Sequence, residues 1–170
     1  MILTTDTIIV FFLVFARLSS MFIYVPVIKT KEFPSMAKVA FTFWISSLLI
    51  FYIPLPEQLP DTPILLLFAI MLEFITGALM GFMTELFVIA LAFAGSLMDT
   101  QAGLSVASLL DPATGSPTTL LSKLMNQLGL LLFLLLNGHH MVMSLMVNSF
   151  RALPVAYSMN LYDSILYLLN

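Results

Sequence analysis

Hydrophobic residues come along this chain in long blocks separated by short polar or proline-rich connectors. Five blocks stand out: residues 7–24, 39–53, 64–98, 124–150 and 157 onward. The block 124–150 holds no Asp, Glu, Lys or Arg, and it exceeds the ~20 apolar residues a helix needs to cross the hydrocarbon of a bilayer. Block 64–98 is longer still. At about 1.5 Å per residue it would reach roughly 50 Å as a helix, against a hydrocarbon thickness of about 30 Å. One straight transmembrane helix is not expected there; the segment is bent, split or extends beyond the bilayer.

The connectors differ in kind. Lys29-Thr30-Lys31-Glu32-Phe33-Pro34, with Lys38 just beyond, is the richest basic stretch, which places it on the cytosolic side if short basic loops stay inside. Residues 54–63 hold four prolines with Glu57 and Asp61 and cannot continue a helix. Residues 99–122 are the least helical part, with Gly103, Asp111-Pro112, Gly115 and Pro117 as turn signals. No repeat or low-complexity tail interrupts the pattern. The expected fold is all-α, with integral membrane-type helices forming kinked or broken hairpins in a hetero-oligomeric helical assembly. Residues 1–170 are expected to form a single membrane-helical domain.

Composition turns long helices into membrane helices. The chain is 61% hydrophobic and 9% charged, against roughly 45–50% and 25% in a soluble domain, and its mean hydropathy is +1.08. A soluble fold of this size leaves about 30% of its unfolded area exposed, so lipid or neighbouring subunits must cover the remainder. A net charge of −3 and basic residues that form no stripe give no reason to expect nucleic acid. The absence of cysteine excludes disulfides and thiolate chemistry. The first residues lack a basic n-region, and the apolar stretch behind them carries Arg17 and no A-x-A site. The first block is therefore expected to stay in the mature protein rather than be removed as a signal peptide.

The polar residues inside the blocks carry the candidate chemistry. Glu73, Gly77 and Gly81 are spaced four apart and share one helical face, with Glu85 further round. Gly77-x-x-x-Gly81 lets two membrane helices approach closely. Helix packing is the preferred reading over an ion or proton relay through Glu73 and Glu85, because a relay needs a charge-changing partner within reach and the sequence shows none. The stripe of Glu85, Ala92, Ser96 and Asp99, followed by Gly103, does not suit lipid; it lines an aqueous path or meets another subunit. Residues 103–112 mix flexible and apolar positions between two membrane blocks, which fits an extramembrane loop and a re-entrant, plugging loop equally. Asn137-Gly138-His139-His140 would be costly against lipid. Adjacent histidines on a helix point about 100° apart, so hydrogen bonding across helices, or a break capped at Gly138, is preferred to a metal site. Such buried hydrophilic positions are expected to be satisfied by other chains. No nucleophile elbow, phosphate-binding loop or paired catalytic carboxylate appears, so neither enzyme nor cofactor is expected.

Taken in order, Arg17…Pro26…Pro34…Lys38, Glu73…Gly77…Gly81-Phe82, Ala94-Gly95…Asp99…Gly103…Asp111-Pro112 and Leu132-Phe133…Asn137-Gly138-His139-His140 resemble the FliR family, within the SctT-type export-gate subunits of type III secretion. The resemblance covers nearly the whole chain, and the Asn-Gly-His-His element is closer to the flagellar branch. It implies a non-enzymatic subunit of the export gate in the bacterial inner membrane, at the flagellar basal body. It also implies FliP-like, FliQ-like and FlhB-type membrane partners, contact with lipid, and a cargo of unfolded flagellar proteins. Residues Gly103, Val106, Leu109, Leu110, Asp111 and Pro112 would belong to a loop that plugs the closed pore. Arg17, Glu73, Gly77, Gly81, Asp99, Asn137, Gly138, His139 and His140 would serve helix packing and subunit contact. The resemblance further implies a FliQ-like apolar region beyond the position of Asn170, which is expected to be absent from residues 1–170.

Two rival functions use the same residues. An ion-coupled small-molecule transporter subunit would take Glu73, Glu85 and Asp99 as coupling carboxylates, although the internal repeats common in such transporters are not visible. A membrane metalloenzyme would be built on His139 and His140.

Overall fold

Prolines set the boundaries of the first helices. Helix α1 (Thr5–Tyr24) ends two residues before Pro26, leaving Val25 outside it, as expected where proline disfavours helical backbone in the residue ahead of it. Proline then opens the short α2 (Pro26–Lys29) and precedes α3 (Ser35–Leu49). It also opens α4 (Pro63–Gln101), where its missing N–H is no loss. Thr62 Oγ1 accepts a bond from the backbone N–H of Leu65 at 3.4 Å, a cap at that helix start. In this computed structural model, which describes residues 5–29, 34–53, 56, 59–60, 62–103 and 120–156, all regular structure among the described residues is helical.

The 39 residues of α4 correspond to about 58 Å of helix, so block 64–98 is not split and is long enough to extend beyond a bilayer's hydrocarbon. Asp99, Thr100 and Gln101 form its last turn, whereas on sequence alone they fall in the least helical stretch. The helix stops at Gly103, whose φ of 72° is the left-handed value that glycine adopts without strain.

Block 124–150 is two helices rather than one, α5 (Leu120–Leu135) and α6 (Gly138–Ala152), bent by 66° at the break. The break is made by Asn137, at φ 57°; its carbonyl accepts from the backbone N–H of His140 at 2.9 Å and starts α6. Asparagine tolerates this region, whereas a β-branched residue loses about 1–2 kcal/mol there. Asn137→Val is therefore expected to lower the unfolding midpoint in detergent, while Asn137→Gly stays near wild type. Equal midpoints for the two variants would show that the left-handed turn does not hold the break.

Two compact units emerge, Met1–Phe82 with Val142–Asn170, and Met83–Met141. In the first, Val10, Leu13, Val14, Leu18 and Met21 of α1 are almost fully buried, at the i, i+3, i+4 spacing of one helical face. Helix α3 packs on α1 through Phe11 with Phe43 and Phe22 with Phe41, ring centroids 5.2 and 5.5 Å apart. In the second, α5 lies against the later turns of α4, with Gly129 beside Val88 and Leu91.

Outward surfaces are apolar as well. Met36, Phe43 and Trp44 of α3, and Leu67, Phe68 and Met71 of α4, stand exposed, more than a water-facing surface carries. Helices α1 and α4 are each long and apolar enough to cross a membrane, and the bent pair α5–α6 together passes the same test.

Candidate functional site

The first cluster begins with a charge that α1 buries on its core face. Arg17 is 2% exposed and Glu73, on α4, is 4% exposed. The Arg17 Nε donates to Glu73 Oε2 in a salt bridge, and its Nη1 donates to the Leu153 carbonyl at 2.9 Å. The guanidinium lies over the Phe150 ring, 4.4 Å from its centroid, within reach of a cation–π attraction. Glu73 Oε1 accepts from the backbone N–H of Ala156 at 3.1 Å. Two opposite charges thus tie α1, α4 and the chain leaving α6 into one buried knot. Burying either ion alone would be costly; paired and hydrogen-bonded, the two are tolerated.

Gly77 and Gly81 continue the Glu73 face and make that approach sterically possible. A Cβ at Gly77 would overlap the Arg17 carbonyl oxygen and sit 2.9 Å from its carbon. One at Gly81 would overlap the Met21 carbonyl oxygen and lie 3.0 Å from Tyr24 Cβ. The backbone of α1 therefore rests directly on the glycine side of α4.

A second cluster lies in the other unit. Asp99 is fully buried. Its Oδ1 accepts from the backbone N–H of Leu121 at 3.3 Å and its Oδ2 from that of Ser122 at 3.0 Å. Ser122 Oγ donates to the Ala92 carbonyl at 2.9 Å. A Cβ on Gly95 would come within 2.7 Å of Leu121 O and of Ser122 Cα. Ser96 is only half-buried, with its hydroxyl returned to the Phe93 carbonyl, and Glu85 is buried.

These contacts correct one expectation. Arg17, Glu73 and Asp99 do not wait for other chains; the same polypeptide supplies partners to all three. Short-range sequence patterns hide this because the partners lie 56, 136, 83 and 22–23 residues away. Most are backbone groups, which no side-chain motif announces. Much of what the described residues leave uncovered is apolar surface.

At the α5–α6 break, Gly138 is buried against the Phe133 ring while Asn137, His139 and His140 are exposed. The two imidazole centroids are 4.4 Å apart. Among the described residues, no group of three or more His, Asp or Glu is placed to hold a metal ion. Gly103 ends the turn after α4. Val106, Leu109, Leu110, Asp111 and Pro112 lie outside the described residues. Sequence reasoning missed Gly95, Ser122, Phe150 and the backbone of 153–156. Only the Ala94-Gly95 small-residue pair gave a signal, and it pointed to no partner.

Residues 8–170 match the family described as bacterial export proteins, family 1. The chain is similar to the flagellar biosynthetic protein FliR of Bacillus subtilis, 29% identical over 145 residues, 85% of this chain and 56% of that protein. It is likewise similar to FliR of Escherichia coli, 31% identical over 135 residues (76% and 49%). A third relative is FliR of Pectobacterium carotovorum, 30% identical over 146 residues (86% and 56%). The chain spans about half the length of the curated relatives it matches.

Proposed function

The chain belongs to the bacterial export proteins, family 1, and from that premise we propose that it is a non-enzymatic subunit of the flagellar type III protein export gate. It forms part of the pore through which unfolded flagellar proteins cross the inner membrane at the basal body. FliP-like and FliQ-like membrane proteins, and an FlhB-type subunit, cover its exposed apolar helices. The family match over residues 8–170 carries this reading. Two properties of the chain support it: helices long and apolar enough for a membrane, and a wealth of uncovered hydrophobic side chains on α3, α4 and α5. The buried charges play an architectural part, holding helices together inside the subunit, since Glu73 and Asp99 already engage groups of their own chain.

The segment between α4 and α5 serves as the plug, with Val106, Leu109 and Leu110 as apolar stoppers and Gly103 and Asp111-Pro112 as its turns; Asn137, His139 and His140 face partners, whereas Gly138 packs on Phe133 of its own chain. Native mass spectrometry of the detergent-extracted complex tests the assembly; dissimilar membrane proteins are expected to co-purify, and a self-contained monomer would overturn the reading. Replacing Leu109 and Leu110 together with glycine is expected to raise ion leakage through the assembled gate several-fold. Background conductance with assembly intact would remove the plug role.

A further inference from the structure

Helix α6 differs from its neighbours in what it turns outward. On α3 the outward side chains are apolar, Met36 and Trp44 among them, and on α5 they include Leu124, Leu128 and Leu131. On α6, Val142, Met146, Ser149 and Phe150 are buried, and the middle of the opposite side is polar. Ser144, Asn148 and Arg151 are exposed there, and their spacings of four and three put them on one face. Asn148 Nδ2 donates to Ser144 Oγ at 3.2 Å, which joins two of the three into a continuous polar strip. Exposed Met143 and Val147 border the strip on one side and Leu145 on the other. Arg151 also suits the negative end of its own helix; Ser144 and Asn148, two turns and one turn earlier, have no such reason to be polar. Lipid is a poor neighbour for all three. A flat protein contact would have to match every donor of the Arg151 guanidinium, and no carboxylate of the described residues pairs with it.

We propose that the Ser144–Asn148–Arg151 face of α6 lines the water-filled path of the assembled gate and meets the main chain of the polypeptide that passes along it. The proposal rests on the reading above, in which the chain is one subunit of a pore for unfolded proteins. A helix standing in a ring of subunits has three kinds of surface: a back against its own core, two flanks against neighbours, and a front toward the lumen. Helix α6 has all three in that order, with buried residues behind, apolar Met143, Val147 and Leu145 at the flanks and the polar strip in front. The strip's chemistry fits an unfolded chain of any sequence. Serine hydroxyl and asparagine amide both donate and accept, and arginine donates, so they can pair with backbone N–H and C=O groups whatever side chains those carry. From Ser144 to Arg151 the helix rises about 10 Å, the length of about three residues of extended chain. No bulky apolar group stands in the strip to hold cargo side chains back.

The chain contains no cysteine, so single thiols report cleanly on each position. Ser144→Cys and Asn148→Cys are compared with Leu128→Cys and Leu131→Cys on the outward face of α5, all in the complex assembled in membranes. A membrane-impermeant maleimide is expected to label positions 144 and 148 several-fold faster than 128 and 131. A flagellar cargo protein, fused to a tightly folded domain that stalls it in transit and carrying one cysteine in its stalled segment, is then expected to slow labelling at 144 and 148 and to form disulfide cross-links there. Should Asn148→Cys fail to assemble, Ser144→Cys decides, because it exchanges only oxygen for sulfur at an exposed side chain. Labelling at 144 and 148 no faster than at 128 and 131 would mean that another chain or lipid covers the strip, and the proposal would be overturned. Fast labelling that stalled cargo neither slows nor follows with a cross-link, although the cargo co-purifies with the complex, would put the strip in water outside the path; the proposal fails and the gate reading stands. If stalled cargo does not co-purify with the complex at all, the gate reading fails and the proposal falls with it.

Discussion

Replacing Arg17 with alanine is expected to destabilise the first unit by about 3–5 kcal/mol, the usual consequence of removing one partner from a buried ion pair. Glu73 would keep one donor, the Ala156 N–H, but its second oxygen would lose the guanidinium, and the Leu153 carbonyl would lose its donor. Lysine is not expected to rescue. Its ammonium is a point charge without the planar fork that lets Arg17 reach Glu73, Leu153 and the Phe150 face together. Removing both charges is a different matter. A paired change, Arg17→Met with Glu73→Leu, is expected to recover most of the loss, because apolar replacement of a buried pair is often neutral. Thermal unfolding midpoints in detergent for both singles and the double give the coupling energy directly. If Arg17→Ala melts with wild type, or if the double is as damaged as the sum of the singles, the buried knot is not what holds these elements.

The same knot shows where a sequence is readable and where it stops. Blocks of apolar residues and the prolines between them locate α1, α3 and α4, because both signals are local: proline removes an N–H and blocks the preceding turn wherever it stands. The four-residue spacing of Glu73, Gly77 and Gly81 is local as well, and it places them on one face of α4 before any partner is known. What the chain packs against that face is not local. Leu153 and Ala156 contribute only backbone atoms to Arg17 and Glu73, and the Ala156 N–H is a group that every residue type but proline carries, its position set by a left-handed φ of 62° that no side-chain motif announces. Asp99 illustrates the same limit from the other side. Its membership of a polar stripe is visible, but the stripe suggests an aqueous path or another subunit, while the fold turns Asp99 inward to a helix start far along the chain. Asn137-Gly138 sits between these cases. Asn-Gly is a recognised turn signal, yet charge-free apolar residues on both sides outweigh it if only span length is considered. The break follows from the backbone preference of one asparagine, and hydropathy averages conceal it.

Gly77→Ala sets two opposed effects against each other, and their sizes decide the outcome. Alanine favours helix over glycine by about 1 kcal/mol, so in an uncrowded stretch of α4 the change would stabilise. Here the new methyl would overlap the Arg17 carbonyl oxygen, a backbone atom that cannot rotate aside. Helix α1 would have to move away, at an overpacking cost of about 1–3 kcal/mol or more, and the movement would carry the Arg17 side chain off Glu73. A net loss of about 3 kcal/mol is expected once this second effect is included. Gly129→Ala is the matched control, because its methyl meets the flexible end of Leu91 at 3.1 Å rather than a carbonyl; it is expected to lie within about 1 kcal/mol of wild type. Unfolding midpoints for the two variants, measured in one detergent, separate close helix approach from general sensitivity to added volume. A Gly77→Ala midpoint equal to that of Gly129→Ala would mean that α1 and α4 do not meet at this glycine. A midpoint above wild type would mean that propensity alone governs the site.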